Sequence, residues 1–165
     1  MDSAIQEFIN CKKIGIVGYS RNPLKFGNMA FKELKKRGFD LFPVHPSEKE
    51  ISGVQCYPNL TALHGKIDSV IISIKPVNVI PVLQEIKFIG LENVWLQKGA
   101  ESKEVLDEAT RLGLNVVSKK CILMYTPPVT SVHLFHRAIT KLIEKITYWL
   151  VLIRFYSNKY FTKLN

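Results

Sequence analysis

The chain has 165 residues, 47% hydrophobic and 22% charged, which suits one globular domain with a real core and argues against wholesale disorder. The net charge of +9 is uneven: residues 1–128 carry 17 basic against 13 acidic side chains, and residues 129–165 carry six against one. No reader motif or basic face with stacking aromatics accompanies the charge, so nucleic acid is not expected as a partner; a mildly basic body suits a small polyanion. MDSAIQEF lacks the basic-then-apolar pattern of a secretory signal, and Cys11, Cys56 and Cys121 form no CxxC pair. Both features point to a cytoplasmic protein with reduced thiols and no zinc site.

Taken in chain order, Lys13 to Gly18 is an apolar strand that breaks into the loop GYSRNPLKFGN. A helix follows over about Gly27 to Arg37, with Phe26, Ala30 and Leu34 on one face. The second strand, Phe39 to Val44, is expected to stop at Pro43 and Pro46, because proline cannot continue a central ladder. Tyr57 to Leu63 is a short helical turn, and SVIISI is a third strand, covered on both faces. A helix starts near Asn78 with Pro81 in its first turn. The fourth strand is Asn93 to Leu96, Ser102 caps the next helix, and the fifth strand is Asn115 to Val117. Gly38, Gly90 and Gly113 each end a helical pattern that feeds a strand, as in βαβ units.

This alternation predicts an α/β, Rossmann-like, doubly wound parallel sheet of five strands. The expected order is 3-2-1-4-5, with a ligand crevice at the carboxyl ends of strands one and four. Residues 1–128 are the expected Rossmann-like domain. Residues 129–165 are expected to form a basic, apolar helical tail whose amphipathic stretch, His133 to Lys145, packs on the domain or on a second copy as a homodimer. Its apolar run, Ile146 to Tyr156, is too short for a transmembrane span; interfacial membrane contact is the second use for it.

The loops after the strands carry the function. The first is longer than a GxGxxG turn: Gly18 makes the turn, Ser20 adds a hydroxyl, and Arg21 and Lys25 add charge to hold a pyrophosphate and a further phosphate. The second loop, FPVHP, offers no carboxylate between Asp40 and Glu48 for adenosine ribose hydroxyls, which argues against NAD. A ribose phosphate, as in NADP or coenzyme A, would instead meet His45, Arg21 and Lys75.

Together VGYSRNPLKFGN, FPVHP, IKP and VWLQKGAES, with CILM after the fifth strand, resemble the small stand-alone CoA-binding domain proteins of bacteria. That family is similar in fold to the nucleotide-binding domain of the succinyl-CoA synthetase α subunit. The resemblance runs from Lys12 to Met124 and implies coenzyme A or an acyl-CoA as the ligand. It implies that Gly18, Tyr19, Ser20, Arg21, Lys25, Phe26 and Gly27 form the phosphate loop. Val44, His45 and Pro46 would flank the adenine, Lys75 and Pro76 would close one wall, and Gln97, Gly99 and Ala100 would stand opposite. The family pattern usually has Asn at His45 and Pro at Lys75 and Lys98, and the acidic residue and His common after CILM are replaced by YTPP.

His133 and His136 lie three apart but lack a third metal ligand nearby in sequence, Cys121 lacks a histidine partner, and Glu101 suits a helix-dipole role. The expectation is a non-catalytic binding or sensing module. The alternatives are an NADP-linked reductase and a subunit of an acyl-CoA ligase.

Overall fold

The computed structural model describes residues 3–126. The expected helical tail, with His133 and His136, lies outside the described residues.

Five parallel strands form the main sheet: β1 (Lys13–Val17), β2 (Asp40–Val44), β5 (Ser69–Ile72), β6 (Asn93–Gln97) and β7 (Asn115–Lys120). Between them run α2 (Phe26–Lys36), α3 (Val79–Phe88) and α4 (Lys103–Arg111). The doubly wound parallel sheet is as expected, but its order is not. The strands stand as β2-β1-β5-β6-β7, that is 2-1-3-4-5 in the numbering used for the sequence, not 3-2-1-4-5.

Pro43 gives the physical reason. It does not stop β2; it sits inside the strand opposite Ile16. Its carbonyl accepts the Tyr57 N–H at 2.8 Å on the side away from β1, and the Tyr57 carbonyl accepts the His45 N–H at 2.9 Å. The missing proline N–H therefore faces the open side, where a further strand would find no donor and Tyr57 already in place. With β2 confined to the edge, the third strand pairs on the other side of β1, Ile14 opposite Ser69 through Val17 opposite Ile72.

The two faces of the sheet are filled by alternation along each strand. Ile14, Ile71, Trp95 and Val117 pack with Ala30 and Leu34 of α2, whereas Val17, Val70, Ile72, Val94 and Leu96 pack with Leu83, Ile86, Val105 and Ala109 of α3 and α4. The helix after β1 and the helix after β5 thus leave on opposite faces, and the crevice lies between β1 and β5 rather than between β1 and the fourth strand. Ser102 caps α4 as expected, its Oγ accepting the Val105 N–H at 3.3 Å.

Two elements were not anticipated. α1 (Ser3–Asn10) buries Ile5 and Phe8 on the α2 face, and Phe8 meets the Trp95 indole edge-on at 5.3 Å. Trp95 is fully buried, its Nε1–H donating to the Lys120 carbonyl at 3.1 Å. β3 (Glu50–Ile51) and β4 (Val54–Gln55) form a hairpin across Ser52 and Gly53, both at positive φ (53° and 76°), as a two-residue primed turn requires.

Gly18 and Gly27 fix how the first loop leaves the sheet. Gly18 adopts φ 116°, and a Cβ there would stand 2.5 Å from the Ser73 carbonyl oxygen. A Cβ on Gly27 would stand 2.2 Å from the Gly18 oxygen, so the first turn of α2 rests directly on the turn after β1.

Two substitutions test these contacts by urea unfolding. Gly27→Ala is expected to cost about 1–3 kcal/mol by forcing helix and turn apart. Phe8→Ala is expected to cost about 3–5 kcal/mol by uncovering Trp95.

Candidate functional site

The loop between β1 and α2 is shaped by its own side chains. The Ser20 N–H donates to Asn28 Oδ1 at 3.0 Å, and Asn28 Nδ2 donates back to the Ser20 carbonyl at 2.6 Å. The Asn22 N–H donates to Ser20 Oγ and the Leu24 N–H to Asn22 Oδ1, each at 3.0 Å. These are the side-chain-to-backbone turns that Ser and Asn favour, and they hold the loop open above the glycine contact. The Ser20 hydroxyl hydrogen is left to donate outward, while its backbone N–H is already committed.

Beside this loop a cavity of about 860 Å³ opens along the carboxyl edge of the sheet. It brings together Gly18, Tyr19, Ser20 and Lys25 after β1, Val44 at the end of β2 with His45 and Pro46 after it, Lys75 after β5, and Gln97 at the end of β6 with Gly99 and Ala100 after it. Four other anticipated residues lie beside its lining. Arg21 turns outward, with 80% of its side chain exposed and Nη1 3.6 Å from Glu48 Oε1. Phe26 packs against the α2-side core, Gly27 lies under Gly18, and Pro76 opens the 3-10 turn before α3.

Part of the lining was missed from sequence. Pro58 and Leu60 form an apolar wall, faced by Ile74 and Val82 on and before α3. The Val44–Tyr57 bridge brings the segment after Tyr57 to the end of β2. That contact is a consequence of the edge position of β2, and no spacing in the sequence announces it.

The ionisable side chains of the cavity are mostly basic. Lys25, Lys75 and Lys98 line it, and the lining carboxylate, Glu85, accepts both the N–H and the hydroxyl of Thr61 at 2.8 Å. Asp40 stands at the opposite edge, paired in register with Lys13 at the start of β2. Such a field favours a polyanion over a neutral ligand.

Groups with nucleophilic or basic character nearby are otherwise engaged. Glu101 does not join the first turn of α4; its carboxylate accepts the Gly99 N–H at 2.7 Å. Gln97 Oε1 accepts the Ile122 N–H at 3.4 Å, tying the end of β6 to the 3-10 turn over Ile122–Met124. Tyr19 is buried against Phe31, with ring centroids 5.0 Å apart, and burial pushes its phenol pKa up, with Cys56 adding to the shift. Burial likewise raises the Cys56 thiol. Cys121 is half-buried against the α2-side core.

Comparison with known proteins gives this crevice a context. Residues 12–127 match the family model described as the CoA binding domain. Among curated relatives, the α subunit of ADP-forming acetate–CoA ligase II from Pyrococcus furiosus is 29% identical over 126 residues, covering 70% of this chain. The match covers only 28% of that subunit. The uncharacterised protein YneT from Bacillus subtilis is 27% identical over 67% of this chain and 82% of its own length. Among solved structures, a conserved hypothetical protein from Pyrococcus furiosus is 34% identical with a TM-score of 0.64, covering 67% of this chain and 96% of that one. A hypothetical protein from Pyrococcus horikoshii is 30% identical with a TM-score of 0.69, over 76% of this chain and 89% of that one. The chain belongs to the CoA-binding domain family.

Proposed function

We propose that the crevice binds coenzyme A or an acyl-CoA, and that the protein acts as a binding or sensing module rather than as a catalyst. The observation that carries this reading is a cavity at the switch point of the sheet whose lining supplies Lys25, Lys75 and Lys98 while its carboxylate is engaged by Thr61. In this reading the pyrophosphate lies over the Gly18–Gly27 loop, held by Lys25 and the Ser20 hydroxyl. The adenine enters the slot between the end of β2 and the Pro58–Leu60 wall. The pantetheine arm then runs past Gln97, Gly99 and Ala100. Membership of the CoA-binding family supports the ligand class.

The non-catalytic half of the proposal is supported by where the candidate reactive groups are spent: Glu101 on Gly99, Glu85 on Thr61, and Cys56 in the core beneath Tyr19. A second reading has one observation in its favour, the likeness to an acetate–CoA ligase subunit. It makes this chain the CoA-holding part of a ligase. Co-purification with a second subunit, and formation of ADP from ATP by the pair that depends on both CoA and a carboxylic acid, would establish it over the module reading.

The ligand is tested by calorimetric titration with CoA, acetyl-CoA, NADP and NAD. The expected result is micromolar binding of the CoA species with no response to either nicotinamide; preference for NADP would overturn the proposal in favour of a reductase. Lys25→Ala is expected to weaken CoA binding by about 1–3 kcal/mol through lost charge-assisted contacts, with an unchanged unfolding midpoint. Unaltered affinity in that variant would remove the loop from the site.

A further inference from the structure

One contact beside the crevice links its two most polar loops. Arg21, in the loop after β1, meets Glu48, in the loop after β2, at 3.6 Å, and both side chains are at the surface, Arg21 the more so. The backbones on either side are fixed. Ser20, Asn22 and Asn28 lock the first loop, and His45 Nδ1 accepts the N–H of Glu48 at 3.1 Å and of Ser47 at 3.4 Å in the second. Rearrangement at this contact is therefore confined to the two long side chains.

The same hydrogen bonds set the tautomer of His45. With Nδ1 accepting, the imidazole hydrogen of the neutral ring belongs on Nε2, where it is a donor at a residue that lines the cavity. The end of β2 thus offers one fixed donor and, next to it, a guanidinium occupied by a carboxylate.

We propose that Glu48 is a selectivity residue: a resident carboxylate that holds Arg21 at the rim until a phosphomonoester on the ligand's ribose displaces it. The proposal rests on the CoA reading of the crevice and specifies which part of the ligand is recognised there. A dianionic phosphate ester offers Arg21 two parallel N–H···O bonds and His45 an acceptor, against a single long contact to Glu48. A ligand without that ester has nothing to trade for the ion pair and leaves it closed. Arg21 then contributes to binding only when the ester is present, and Glu48 sets how much of that contribution is realised.

The test is titration of the wild type, Glu48→Gln and Arg21→Ala with CoA and with 3′-dephospho-CoA. The wild type is expected to favour CoA by about tenfold or more, as for a charge-assisted contact. Glu48→Gln is expected to tighten CoA about two- to fivefold, the range for release of an exposed ion pair, and to leave dephospho-CoA unchanged. Arg21→Ala is expected to remove most of the preference for CoA, leaving only the part due to His45, and to abolish the effect of Glu48→Gln on CoA when the two are combined. Equal effects of Glu48→Gln on both ligands, or a preference for CoA undiminished by Arg21→Ala, would overturn the role of Glu48 while leaving CoA binding intact. If neither ligand binds the wild type, the reading of the crevice itself fails, and the role of Glu48 with it.

Discussion

The carbonyl oxygen of Gly18 and the backbone of Gly27 approach so closely that no side chain fits between them. That contact sets the first turn of α2 on the turn after β1. A second close approach, of Gly18 to the Ser73 carbonyl, seats the same turn against the end of β5. The loop between the glycines has no room to fold downward, so it rises over the carboxyl edge and is held there by the Ser20–Asn28 exchange. Removing either close approach would spread the crevice before it touched the core. Three strands of chain geometry, the turn, the helix start and the neighbouring strand end, are thereby fixed relative to one another without a single ion pair.

A second constraint decides where the crevice opens. Pro43 makes β2 an edge, and the third strand therefore lies beside β1. Because α2 and α3 then leave on opposite faces, the carboxyl ends of β1 and β5 are uncovered together. The lysines that follow those strands and β6 converge on one opening, and the carboxylate in its wall is drawn aside by Thr61. The cavity is apolar toward β2 and positive toward the strand ends, which matches a ligand with a flat apolar ring at one end and phosphates next to it.

Much of the fold was legible because its signals are local. Gly38, Gly90 and Gly113 do stand at positive φ after helices, and Ser102 does cap α4; each obeys rules that act within one turn of chain. Strand order is not local. A proline can end a strand or mark an edge, and only the Tyr57 bridge on its outer side reveals Pro43 as an edge marker. β7 runs past Val117 to Lys120 through an irregularity in register, with Lys119 at φ 59°, which no hydrophobic pattern encodes. The Ser52–Gly53 turn carries only a Ser-Gly pair between Ile51 and Val54, and each strand it joins is two residues long. The site divides in the same way. Residues adjacent to strand ends were found because the fold puts them there, while Pro58, Leu60 and Val82 reach the cavity only through tertiary packing. The contact of Arg21 with Glu48 was not legible, since the two stand 27 positions apart in the chain.

The proposed seat of CoA is the carboxyl edge of the sheet, across the β1–β5 switch point. Backbone amide NMR of the isotopically labelled protein, titrated with CoA, tests it most directly. Shifts are expected to concentrate at Gly18 to Gly27, His45 to Glu48, Lys75 and Lys98 to Ala100, with α1 and the amino ends of the strands unmoved. Shifts centred on α1 or on the amino edge around Lys13, Asp40 and Asn93 would contradict it.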